Sequence, residues 1–112
     1  MNEDDLAVGW TTVGTAEEAD ALCAVLLEGN RAACTQIDPP IRSLYRWKGK
    51  PESETEVRVW IKTTVARARG MEAFFAGVHP YETPQWIWVT AAGADTGYAE
   101  WVRGSVAGDG KG

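Results

Sequence analysis

The sequence predicts an α+β domain built on one antiparallel sheet, and three observations carry that reading. Three stretches of the chain alternate apolar and polar residues with period two, as half-buried strands require. Stretches between them place apolar residues at helical spacing, the pattern of helices that cover one side of a sheet. The two middle strands are separated by turn residues alone, which makes them an antiparallel hairpin. A chain of 112 residues, 45% hydrophobic and 24% charged, suits a single folded domain with one core.

The first strand is expected over Leu6 to Thr12, where Leu6, Val8 and Trp10 alternate with Ala7, Gly9 and Thr11. Thr15-Ala16-Glu17-Glu18 then reads as a capping box that starts a helix. Its apolar stripe is Ala19, Leu22, Cys23, Leu26 and Leu27, and Gly29-Asn30 supplies the residues that end it. Ala32 to Ile37 reads as a strand that bends at Asp38-Pro39-Pro40 and resumes from Ile41 to Lys48. Turn chemistry over Lys48 to Ser53 precedes a strand from Glu54 to Lys62. A second helix follows Thr63-Thr64, with Met71, Phe74, Phe75 and Val78 as its stripe, and stops at Pro80. Gln85 to Ala91 is the last strand, and Thr96 to Ser105 a short amphipathic helix.

This order matches a ferredoxin-like (split βαβ) sheet with two helices on one face and a short C-terminal helix. Residues 1–5 are expected to be disordered, 6–105 to form the domain and 106–112 to be a flexible tail. Val57, Val59, Ile61, Ile87 and Val89 are read as facing the helices, which leaves Trp60, Trp86 and Trp88 on the open face of the sheet. Three tryptophans form an apolar patch that a soluble domain must cover. Identical domains packing through their open faces would do so, and so would single-stranded RNA stacking on an aromatic platform. The net charge of −5 favours the first.

The same acidic balance argues against nucleic acid as a partner, because clustered Lys and Arg supply most of that affinity. No apolar run is long enough to span a bilayer, and Met1-Asn2-Glu3-Asp4-Asp5 does not read as a secretory signal, so a cytoplasmic protein without a membrane partner is expected. Cys23 and Cys34 form neither a disulfide framework nor a zinc pattern.

Val78-His79-Pro80-Tyr81-Glu82-Thr83-Pro84 holds the single histidine beside a phenol and a carboxylate, between two prolines that restrain His79 and Thr83. With Arg31-Ala32-Ala33-Cys34, Ser43-Leu44-Tyr45-Arg46-Trp47-Lys48-Gly49-Lys50 and Ile61-Lys62-Thr63-Thr64, it forms a set of four motifs that resembles the CutA family of divalent-cation tolerance proteins. The similarity runs from about Val8 to Ser105. It implies a compact homotrimer in which the bent hairpin reaches across to a neighbour, with Tyr45, Arg46, Trp47, Trp60, Trp86 and Trp88 at the interface. It also implies a copper-type divalent cation or a small ligand in a cleft between subunits. Two proposed copper ligands of the family, a cysteine and a second histidine, fall at Thr11 and Val78, so His79 alone remains of that set.

A metal shell would combine His79 with Cys34 and Glu82 in the mixed N, O, S environment that copper accepts. The alternative is a loop histidine that hydrogen-bonds Tyr81 or a neighbour and sets the shape of the loop, and the absence of a second nearby histidine favours it. Cys34 reads first as a buried structural thiol. Trp47, Lys62 and Tyr81, with Glu82, would line a cleft where Lys62 holds a small anion, or would form a trimer contact. No catalytic constellation is present, so an enzyme is not expected. The remaining alternative is a non-catalytic PII-like signalling or scaffold trimer whose motif residues are structural.

Overall fold

The computed structural model describes residues 1–108. Its elements are β1 (Leu6–Val13), α1 (Ala16–Glu28), β2 (Cys34–Ile37), β3 (Ile41–Trp47), β4 (Lys50–Thr64), α2 (Val65–Arg69), α3 (Met71–Val78), β5 (Ile87–Thr90) and α4 (Thr96–Val106). The sheet runs β2-β4-β1-β5 and every pairing is antiparallel, with β3 paired to the distal part of β4. It is thus an α+β fold on one antiparallel sheet.

Local chemistry accounts for the element ends. The Thr15 hydroxyl accepts from the Glu18 amide at 3.1 Å, while Glu18 Oε1 accepts from the Thr15 amide at 3.1 Å, a complete capping box at the start of α1. Asn30, at φ 57°, takes the left-handed conformation just past the helix. Asp38-Pro39-Pro40 separates β2 from β3, and both strands pair with β4. The hairpin turn is tighter than the sequence suggests: Lys48 and Gly49 both have positive φ and close a two-residue loop between Trp47 and Lys50. Strand β4 therefore starts at Lys50 rather than Glu54, because Pro51 sits in an arm whose outer edge needs no amide.

The second helix is divided at Gly70 into α2 and α3, and the first turn of α2 is capped by Thr64. The hydrophobic core lies between the sheet and these helices. Val57, Val59 and Ile61 pack there with Val13, Leu22, Leu26, Met71 and Phe75. Helix α4 packs elsewhere, burying Val102 and Val106 against Leu6 and Ala33.

The facing of β5 reverses the sequence reading. Trp88 lies opposite Gly9, and Ile87 opposite Trp10. Ile87 and Val89 thus share the open face with Trp10 and Trp60 and are 45% and 56% exposed. Trp86 and Trp88 pack on the helix side against Ala68 and Val65, and Trp86 Nε1 donates to the Ala68 carbonyl at 3.2 Å. The physical reason is Gly9: a Cβ there would meet the Trp86 ring at 2.6 Å, so the missing side chain makes room for the indole. Of the three tryptophans assigned to the open face, Trp60 is there, 5.3 Å from Trp10 in a tilted ring contact.

Hydrogen bonds reach both ends of the described residues. Residues 1–5 form a hydrogen-bonded turn, the Asp5 and Glu3 carbonyls accept from the amides of Val65 and Ala66, and Arg69 pairs with Glu3 at 2.9 Å. Val106 ends α4 and is buried, and Arg67 donates to the carbonyls of Val106 and Gly108. Residues 109–112 of the expected tail lie outside the described residues.

Candidate functional site

The His79 loop follows α3 because Pro80 cannot continue a helix and forces the residue before it out of helical geometry. His79 is accordingly extended at φ −78°, ψ 138°. Its ring packs edge-on to Phe75 at 5.1 Å and lies 5.3 Å from the Tyr81 ring. The Tyr81 amide donates to Nδ1 at 3.0 Å, so the neutral ring carries its proton on Nε2. That nitrogen lies 2.9 Å from Thr11 Oγ1, which accepts from it. Burial holds the imidazole below its ordinary pKa, with Glu18 and the hydrogen-bonding pull of the Thr12 backbone opposing. Both nitrogens are occupied, and the one lone pair suited to a metal holds the loop's own amide.

Tyr81 extends the loop to the arm. Its phenol donates to Glu56 Oε2 at 2.7 Å, and its pKa is pushed up, first by burial and then by that carboxylate. Tyr45 repeats the arrangement further out, donating to Glu54 Oε1 at 2.7 Å, and that bond pushes its pKa up to about 12. Between arm and loop lies an open cleft of about 1100 Å³. Glu52, Glu54, Glu56 and Glu82 line it against the single cation Lys48.

The expected metal set does not assemble. Thr11 pairs with Val59 and shares the helix side of the sheet with His79, whereas Cys34 pairs with Lys62, one residue out of phase on β4, and so lies on the opposite face. Glu82 is exposed in the cleft. Among the described residues no three His, Cys, Asp or Glu side chains converge as a metal site. The expected cleft set is also divided. Trp47 and Tyr81 line the cleft, but Lys62 sits on the open face with its Nζ 5.9 Å from the Tyr98 ring. Within one chain Lys62 and Tyr81 are therefore apart, and the charge beside Tyr81 is acidic.

Of the expected interface residues, Tyr45, Arg46 and Trp47 are exposed on the arm, with Trp47 at 52% and its neighbour Leu44 at 69%. Trp60 is held by Asp38, which accepts from both its Nε1 at 3.0 Å and Arg58 Nε at 2.8 Å. Trp86 and Trp88 are absorbed by their own chain. Sequence reasoning singled out Thr11 only as a position lacking the family's cysteine, and it missed both its bond to His79 and Glu56 as a member of the site. The polar Thr11 within an apolar strand, and the run of glutamates at alternate positions from Glu52 to Glu56, were the available signals.

Comparison with known proteins places this architecture. A family model described as CutA1 divalent ion tolerance protein matches residues 7–105. A divalent-cation tolerance protein CutA of Escherichia coli is 38% identical over 88 residues, covering 79% of this chain and 79% of that one. Among solved structures, CutA from Synechococcus elongatus is 34% identical with a TM-score of 0.86, over 96% of this chain and 95% of that one. A protein of Archaeoglobus fulgidus, described as a periplasmic divalent cation tolerance protein CutA, is 28% identical with a TM-score of 0.85, over 90% and 98% of the two chains.

Proposed function

This chain belongs to the CutA1 divalent ion tolerance family, and from that premise we propose that it acts as a homotrimeric, non-catalytic cation-tolerance protein of the cytoplasm. The strand order β2-β4-β1-β5, antiparallel throughout, supports a ferredoxin-like plait as its subunit. The observation that carries the assembly is the arm formed by β3 and the distal part of β4. It leaves Leu44, Tyr45 and Trp47 uncovered by its own chain, and a neighbour's surface is the natural cover for such a group. Ile87 and Val89 add a second uncovered patch on the open face.

The divalent cation, copper or another, is held on this reading where subunits meet, with carboxylates such as Glu82 drawn from the acidic cleft and the shell completed across the boundary. His79 is assigned to holding the loop. A second reading, a PII-like scaffold whose motif residues are purely structural, is favoured by the full engagement of both His79 nitrogens.

Calorimetric titration with Cu²⁺ and Zn²⁺, run beside light scattering, tests both. A trimer that binds stoichiometrically, retains binding in His79→Ala and loses it in Glu82→Gln supports the cleft. A trimer that binds neither ion supports the scaffold, and a monomer overturns both.

A further inference from the structure

The arm, residues 41–56, leaves the body of the sheet where both edges of β4 change at once. On one edge β1 ends with Val13 opposite Val57, so Glu56 is the first residue of β4 without a neighbour there. On the other edge Ile37 pairs with Val59 and Ile41 with Glu56, which leaves Asp38-Pro39-Pro40 opposite only Val57 and Arg58. A surplus residue and two prolines without amides interrupt the ladder at that point. One continuous strand therefore carries the arm, and a break of this kind is where a hinge forms.

Little else holds the arm. Among the described residues a single side-chain hydrogen bond crosses from it to the body, the Tyr81 phenol to Glu56 Oε2 at 2.7 Å. The side-chain bonds of Arg42, Tyr45 and Arg46 all stay within the arm. The space between arm and loop is an open cleft, so packing does not fix the angle on that side.

The crossing bond is suited to fixing it. A phenol on a carboxylate makes a short, charge-assisted bond, and Glu56 is 8% exposed. A small swing of the arm would leave that buried carboxylate without its donor before water replaced it, so small departures are costly. The Tyr81 end is anchored in turn, because its amide donates to His79 Nδ1 at 3.0 Å and His79 Nε2 bonds Thr11 Oγ1 at 2.9 Å. Three hydrogen bonds thus run from β1 through the loop to the root of the arm.

We infer that the arm is a hinged element, turning about residues 38–40 and the Glu56–Val57 step, and that Tyr81 is the positioning residue that fixes its angle. The hinge needs one chain only. Its use rests on the assembly proposed above, since Leu44, Tyr45 and Trp47 meet a neighbour only where the arm directs them, and a preset direction lowers the cost of that association.

The test is a distance distribution between two nitroxide labels, read by pulsed electron dipolar spectroscopy. The labels sit at Lys50→Cys on the arm and Glu72→Cys on α3, with Cys34→Ser and the buried Cys23 left in place. Labelled chains are diluted into unlabelled ones so that distances within one chain are read, and light scattering records molar mass. The expected result is one narrow distance in the parent and a broadened, shifted distribution in Tyr81→Phe. Glu56→Gln stays narrow, because its amide oxygen still accepts from the phenol. Tyr45→Phe, which removes the matching Tyr45–Glu54 bond inside the arm, stays narrow too. If Tyr81→Phe fails to fold, Glu56→Ala removes the same bond from the other end and is read in its place. A distribution as narrow as the parent's after loss of the bond overturns the hinge. Equal broadening in Tyr45→Phe also overturns it, by showing an arm that is soft throughout. A parent that is monomeric by light scattering, yet broadens in Tyr81→Phe, removes the assembly and supports the hinge.

Discussion

The two halves of β4 belong to one uninterrupted strand of 15 residues and live in opposite environments. From Val57 to Thr64 every residue is buried or half-buried, with Val57, Val59 and Ile61 inside the core; from Lys50 to Thr55 every residue is exposed. Both halves are paired to neighbours, β1 and β2 inward and β3 outward, so backbone hydrogen bonding does not distinguish them. Side-chain burial does. The inner half is held by apolar packing, the outer half by ladder bonds and Tyr–Glu contacts at its surface, and Glu56 stands at the change-over. One strand thus serves both as core and as a projecting arm.

If that division is real, substitutions should fall into two classes. Phe75→Ala, in the core against the inner half, is expected to cost about 3–5 kcal/mol through lost burial and the cavity left behind; urea denaturation reads the shift, and a loss under 1 kcal/mol would mean that the core is not packed as described. Gly9→Ala would place a Cβ 2.6 Å from the Ile87 carbonyl and the Trp86 ring. The expected cost is about 1–3 kcal/mol of overpacking, with Trp86 fluorescence shifted as the indole is displaced. Thr15→Ala removes the capping hydroxyl of α1 and should cost about 1 kcal/mol in the same assay.

Acid probes the loop that bridges the halves. Because burial lowers the folded-state pKa of His79, the neutral ring contributes stability that is fully present above the unfolded value of about 6.5 and is lost as pH falls through the folded one. A cationic ring would also turn Nδ1 into a donor facing the Tyr81 amide. Denaturation midpoints at pH 7.5 and 5.5 should therefore diverge more in the wild-type protein than in His79→Gln, and equal divergence would contradict the assignment. On the arm, Trp47→Ala should change the stability of the single chain by less than about 0.5 kcal/mol, since the ring is exposed. Its expected consequence is a lower molar mass in light scattering, and an unchanged mass would remove Trp47 from the proposed interface.

Much of this was legible in the chain. The capping box, the proline bend and the alternation of Val57, Val59 and Ile61 are short-range patterns, and each appears where the residues put it. Two features resisted. Alternation in β5 separates Trp86 and Trp88 from Ile87 and Val89, but a period of two is symmetric and does not say which set faces the helices. Cys34 and His79 are both plausible ligands as residue types, yet strand phase on β4 puts them on opposite sides of the sheet.

The sequence by itself determined the element order, the turn and cap chemistry and the family, because each rests on neighbours in the chain or on motifs in register. Only the tertiary structure decided which way β5 faces, that His79 spends one nitrogen on the Tyr81 amide and the other on Thr11 of β1, and that the Glu56 carboxylate is buried against the Tyr81 phenol. Those outcomes depend on contacts between residues 25 to 77 positions apart, such as Tyr81 with Glu56, Thr11 with His79 and Gly9 with Trp86. Space at such points is set by packing density and register, which local periodicity does not encode.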